Sequence, residues 1–150
     1  MSGFDPDGWT PCVGETLACW DLRVESRAAA APRALTRTTL RRWRIDDDEG
    51  AADIILMVDE LVSNAVVHGH GPVRLRLSIS GPRIRGEVTD ASPALPEPGR
   101  PDHDSETGRG LLLVTALADE FGVMPGGYGK IVWFTHVLAA PREREQRRQA

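Results

Sequence analysis

Asp59-Glu60-Leu61-Val62-Ser63-Asn64-Ala65-Val66-Val67-His68 mixes apolar and polar residues at helical spacing. At roughly 100° per residue, Ile54, Val58, Leu61, Val62 and Ala65 fall on one broad apolar face. Glu60, Asn64 and His68, four residues apart, form a polar stripe along its edge. Upstream, Asp46-Asp47-Asp48-Glu49 places negative charge where a helix N-terminus welcomes it. Downstream, Gly69-His70-Gly71-Pro72 ends the helix. The pattern predicts one long helix, to about Val67, with an apolar face to be covered.

The flanking sequence supplies the cover. Val73, Leu75, Leu77 and Ile79 alternate with Arg74, Arg76, Ser78 and Ser80, Gly81-Pro82 turns the chain, and Arg83–Asp90 alternates again. That is a hairpin with one buried and one wet face. Thr16–Val24 reads as an earlier strand and Pro32–Trp43 as a helix, with Pro32 in its first turn. Gly110–Ala118 reads as a short helix, Phe121–Met124 as a strand, Gly126–Gly129 as a turn and Lys130–Leu138 as a last strand. Residues 91–107, with Pro93, Pro96, Pro98 and Pro101, read as a lid-like loop without an element. The expected architecture is α/β, a two-layer sandwich of a mostly antiparallel sheet with helices on one face. Residues 1–14 are expected to be an irregular arm, 15–138 the domain, and 139–150 a flexible charged tail.

Composition narrows the function classes. A chain of 150 residues with 41% hydrophobic and 27% charged residues suits one soluble globular domain. A net charge of -4 argues against direct nucleic-acid binding. No segment approaches the roughly 20 apolar residues of a membrane helix, so no membrane role is expected. The start of the chain is acidic and broken by proline, unlike a signal peptide. Cys12 and Cys19 match no metal or redox spacing and are expected to be free thiols in a reducing cytoplasm. Lys130 is the only lysine.

Three features carry chemistry. Glu60 and Asn64 place a carboxylate one turn from an amide oxygen. The amide is a hard, neutral metal ligand, and the carboxylate can take a proton from an attacking hydroxyl. By itself the stripe is more simply the solvated edge of an amphipathic helix. Asp90 ends a strand whose inward series is Ile84, Gly86 and Val88, so alternation aims its carboxylate at the core side. It needs a partner to offset desolvation, for which an adenine amino group or a buried arginine would serve equally. Gly108-Arg109-Gly110-Leu111 stands at the start of the next expected helix, where backbone N–H groups can meet a phosphate. Alone, such glycines mostly make turns.

Together, in this order and spacing, these residues resemble the nucleotide site of the GHKL ATPases, which include histidine kinases, gyrase and MutL. Glu60-x-x-x-Asn64 is similar to the family's N box, Asp90 to its G1 aspartate, and Gly108-x-Gly110 to its G2 glycines, with the proline-rich segment as the ATP lid. The wording Glu-Leu-Val-Ser-Asn-Ala-Val-x-His-Gly looks most like the anti-sigma-factor serine kinases. The resemblance covers residues 16–138 and implies a Bergerat fold binding ATP and Mg²⁺. It implies that Asn64 ligands Mg²⁺, that Glu60 is the general base, and that Asp90 reads the adenine amino group. Gly108, Arg109, Gly110 and Leu111 would hold phosphate, and His68 and Ser92 would line the nucleotide site. One departure stands out: the family's Asp-x-Gly-x-Gly is here Asp90-Ala91-Ser92-Pro93-Ala94, without the glycines that let the lid pass close to the base.

What the resemblance implies is a cytoplasmic anti-sigma factor with serine/threonine kinase activity towards an anti-sigma antagonist. Its partners would be a sigma factor and that antagonist, and related kinases dimerise, so a homodimer is expected. Two alternatives are an ATP-binding interaction module without phosphotransfer, favoured by the altered G1 segment, and a scaffold that has lost ATP. The histidine-kinase role needs a phosphoacceptor helix pair, and only the Pro32–Trp43 helix precedes the N box. His68 and His70 are read as the rim of the site rather than a metal pair. The arginines of the first helix are read as a solvated face, and the tail from Arg142 has no apolar face.

Overall fold

The computed structural model describes residues 12–22, 30–68, 72–91, 105–126 and 129–140, with 146 and 149. The elements are β1 (Cys12–Val13), β2 (Leu17–Leu22), α1 (Ala30–Arg42), α2 (Asp48–His68), β3 (Val73–Ser80), β4 (Arg83–Asp90), α3 (Ser105–Leu117), β5 (Glu120–Pro125) and β6 (Lys130–Val137). The strands form one sheet in the order β1-β2-β3-β4-β6-β5, and every pairing is antiparallel. This is the expected two-layer α/β arrangement. The crossover from β4 to β5 carries α3 and leaves β5 on the edge.

The hairpin alternation decides which face is dry. Val73, Leu75 and Leu77 of β3, Ile84 and Val88 of β4, and Phe134 of β6 are all buried. They meet Ile54, Met57, Val58, Leu61, Val62 and Ala65 of α2 in a single core cluster. The 21-residue α2 is thus the central helix, burying an apolar stripe at about 25 cal/mol per Å² removed from water. On the opposite sheet face, Arg85 lies over the Trp133 ring at 4.4 Å from its centroid, an exposed-side cation–π contact.

Local chemistry sets the helix ends. Asp47 caps α2, its Oδ1 accepting from the Gly50 N–H at 3.1 Å, while its Oδ2 accepts from the Ala139 N–H at 2.8 Å. The acidic run therefore does more than favour the dipole: one buried carboxylate ties the start of α2 to the chain leaving β6. The end of α1 is closed by Arg44 in the left-handed region (φ 56°), with Arg44 N–H bonded to Arg41 O and Ile45 N–H to Leu40 O. That is the Schellman pattern on a non-glycine residue. Trp43 Nε1 then donates to Gly14 O at 2.8 Å, fixing α1 against the early chain.

The structure departs from the sequence reading in two places. Cys12–Val13, expected within an irregular arm, pair with β2 as a short edge strand. Two residues between Pro11 and Gly14 are too few to show alternation, so only the free edge of β2 makes them a strand. Helix α3 starts at Ser105, not Gly110. Residues 105–107, expected to be part of the loop, are its first turn, and both glycines lie inside it. Residues 92–104 and 141–145 of the expected lid and tail lie outside the described residues. Among the described residues, no helix is long and apolar enough to cross a membrane.

Candidate functional site

Four elements converge at one end of the sheet: the second half of α2, the end of β4, the first turns of α3 and the start of β6. The antiparallel register brings this about, because β3 starts where α2 finishes, and β4 therefore finishes at the same end. Glu60 and Asn64 face α3 from α2. A Cβ built on Gly110 would stand 2.7 Å from Glu60 Oε2, 3.5 Å from Asn64 Nδ2 and 3.7 Å from Asn64 Oδ1. A Cβ at 110 would crowd the Glu60 carboxylate and touch the Asn64 amide, so the glycine read as phosphate-binding also leaves that carboxylate in place against α3. Among the described residues, Asn64 Nδ2 is buried and has no hydrogen-bond partner. An orphaned amide costs about 1–3 kcal/mol, an arrangement that folding alone does not favour.

Asp90 closes the second side. It is 1% exposed, on the same face as Val88, as alternation from Ile84 requires. Directly across the β4–β6 ladder stands Lys130, itself 8% exposed, with its Nζ 3.7 Å from Asp90 Oδ2. Gly129 permits this closeness: its Cα packs on the Asp90 carbonyl and the Ala91 backbone, leaving no space for a Cβ. The partner foreseen for Asp90 was an adenine amino group or an arginine; among the described residues, the chain's single lysine stands beside it. Lys130 is the site residue that sequence reasoning missed. The signal for it was strand register, which pairs positions forty residues apart and is not visible along the chain.

The remaining expected positions fall as follows. Gly108 and Arg109 lie in the helical backbone of α3, in its first turns, rather than just ahead of it. Leu111 is half-buried and packs on the core. His68 is the last residue of α2; its side chain, that of Arg109, and the whole of Ser92 lie outside the described residues, as does His70.

These groups fit a magnesium nucleotide. An unsatisfied amide beside a carboxylate, with a glycine leaving space between two helices, suits a metal-bound phosphate chain. A buried acceptor and donor side by side at the sheet end suit the edge of a base. The model of the histidine kinase-like ATPase domain family matches residues 22–136. The chain belongs to that family. It is a kinase-like ATP-binding domain of the GHKL type. Among solved structures it is similar to the RsbU and RsbW domains of Rv1364c from Mycobacterium tuberculosis, at 26% identity and a TM-score of 0.63 over 83% of this chain. It is also similar to a blue-light activated histidine kinase from Erythrobacter litoralis, at 32% identity and a TM-score of 0.50 over 63% of this chain. The chain spans 33% and 32% of the lengths of those two chains.

Proposed function

We propose that this GHKL domain is a cytoplasmic serine/threonine kinase that also acts as an anti-sigma factor, binding a sigma factor and phosphorylating an anti-sigma antagonist. The observation that carries the reading is the meeting of Glu60 and Asn64 with α3 at Gly110, one buried amide there being left without a partner. The likeness to a chain containing an RsbW domain supports the regulatory assignment. In this reading Asn64 holds Mg²⁺ through its amide oxygen, and Gly108, Arg109, Gly110 and Leu111 of α3 hold phosphate. Glu60, a turn away on the same helix edge, takes the proton of the attacking seryl or threonyl hydroxyl. Asp90 accepts from the amino group of the base, with His68 and Ser92 beside the nucleotide. Bound Mg·ATP supplies the transferable phosphoryl group. As in related kinases, the active form is a homodimer.

A second reading, nucleotide-dependent partner binding without transfer, is favoured by Ser92 and Ala94 standing where the family has its lid glycines. Calorimetric titration with Mg·ATP, wild type beside Asp90→Ala, tests the site. The variant should bind roughly ten- to a hundred-fold more weakly, as for loss of a hydrogen bond to a charged group. Transfer of radiolabelled γ-phosphate to a candidate antagonist, abolished in Glu60→Gln with binding retained, then supports the kinase. Binding without transfer to any cognate partner supports the module, and no binding at millimolar ATP sinks both.

A further inference from the structure

Lys130 lies in the second strand of the site end and has no role in the reading above. Its position is unusual in three respects. It is the only lysine in a chain whose other basic residues are arginines. Its side chain is one-tenth exposed and its partner Asp90 still less, so this ion pair is withdrawn from water. The pair occupies the cross-strand step next to Val88↔Val132, on the helix-covered face. A buried pair of this kind contributes little net stability, because desolvation offsets the attraction between the charges. Two well-packed apolar residues would hold β4 to β6 at least as well, so the pair calls for an explanation other than folding.

An ammonium carries three donors, and a contact with one carboxylate oxygen leaves donors for a second acceptor. A purine that presents its amino group to Asp90 brings an acceptor along with it. Adenine carries a ring nitrogen beside its amino group, so its edge shows a donor next to an acceptor. Asp90 and Lys130 show the complementary acceptor and donor side by side. Guanine presents an oxygen where adenine has the amino group, and that oxygen would face the Asp90 carboxylate. We infer that Lys130 is a base-reading residue, donating to a ring nitrogen that flanks the adenine amino group while Asp90 accepts from the amino group itself. The inference rests on the nucleotide-site reading and adds to it a specificity determinant on β6. Gly129 is part of the device, since its lack of a side chain brings Lys130 level with Asp90.

The test is calorimetric binding of Mg·ATP, 1-deaza-ATP and 7-deaza-ATP, each analogue lacking one of the two flanking ring nitrogens, to wild type and to Lys130→Met. Wild type should bind one of the two analogues roughly ten- to a hundred-fold more weakly than ATP, the cost of losing a hydrogen bond to a charged group. In Lys130→Met, ATP should bind about as weakly as that analogue does to wild type, and the gap between ATP and the analogue should close. A variant that misfolds is recognised by its melting curve, and the wild-type arm stands without it. Equal binding of ATP and both analogues to wild type overturns the inference while leaving the nucleotide site intact. So does Lys130→Met binding ATP as well as wild type or better, which would make the lysine a mere counter-ion that ATP displaces. If wild type binds no ATP at all, the site reading fails and the inference with it.

Discussion

Gly110 on α3 and Glu60 on α2 approach so closely that a Cβ on the glycine would stand 2.7 Å from Glu60 Oε2. Two opposing consequences follow from replacing it. Alanine favours a helix interior over glycine by about 1 kcal/mol. The clash is with the far end of a flexible side chain, which can swing away at little cost. Gly110→Ala should therefore melt at the wild-type temperature or slightly above it. The displaced carboxylate and the added methyl should lower Mg·ATP affinity by about ten-fold or more, as for a lost charge-assisted hydrogen bond. Melting curves and calorimetry on the same preparation separate the two effects, and undiminished affinity would show that the ligand does not use this space.

Asn64 gives the converse case. Its Nδ2 is buried without a partner, and asparagine is a poorer helix former than alanine. Asn64→Ala should leave the ligand-free domain as stable as before, or more stable by about 0.5–1 kcal/mol. The rise in melting temperature that Mg·ATP gives wild type, a mass-action effect of binding the folded state, should disappear. A variant that is destabilised instead would mean the amide is structural.

Asp47 should behave in the opposite manner. Its two oxygens accept from Gly50 N–H and Ala139 N–H, so one residue both caps α2 and holds the end of the last strand. Losing a cap costs typically about 1 kcal/mol, and the part-buried Ala139 N–H left without its charged acceptor adds about 1–2 kcal/mol. Asp47→Ala is expected to lower unfolding stability by about 2–3 kcal/mol with little effect on nucleotide affinity. A shift in the urea midpoint no larger than a surface substitution gives would remove the cross-link from the account.

These three residues also mark how far the sequence could be read. Helix α2 and the β3–β4 hairpin were legible to within a residue or two, because one residue in every two or every three to four is apolar over a long stretch. Asp90 was legible as inward-facing for the same reason. The start of α3 was not, since Gly108 and Gly110 read as punctuation, and the approach of Gly110 to Glu60 is a contact that no local pattern shows. Strand β1 has no periodicity of its own. Asp47 could be seen as a helix-terminal charge but not as a bond to Ala139, and Lys130 could not be placed at all, since both depend on how distant strands end side by side.

The Cys12–Cys19 pair was read as unremarkable thiols, and the register adds a pH dependence. The two residues are direct partners across β1 and β2, both free, with Cys19 buried and Cys12 exposed. Burial pushes the Cys19 thiol above its ordinary value of 9.0; a hydrogen bond from the Cys19 thiol to Cys12 adds to the rise and the Arg76 guanidinium partly opposes it. The folded state thus prefers the neutral thiol more strongly than the unfolded chain does. Its contribution to stability is fully present below the unfolded value and is lost as pH rises through the folded one. As pH rises through the unfolded thiol's ordinary value and beyond it, melting temperature should fall more steeply in wild type than in Cys19→Ala, where the ionising group is gone. Cys12→Ala should also flatten the slope, though less, because burial rather than Cys12 is the larger cause. Parallel slopes in wild type and Cys19→Ala would mean that the thiol ionises as readily in the fold as in the unfolded chain.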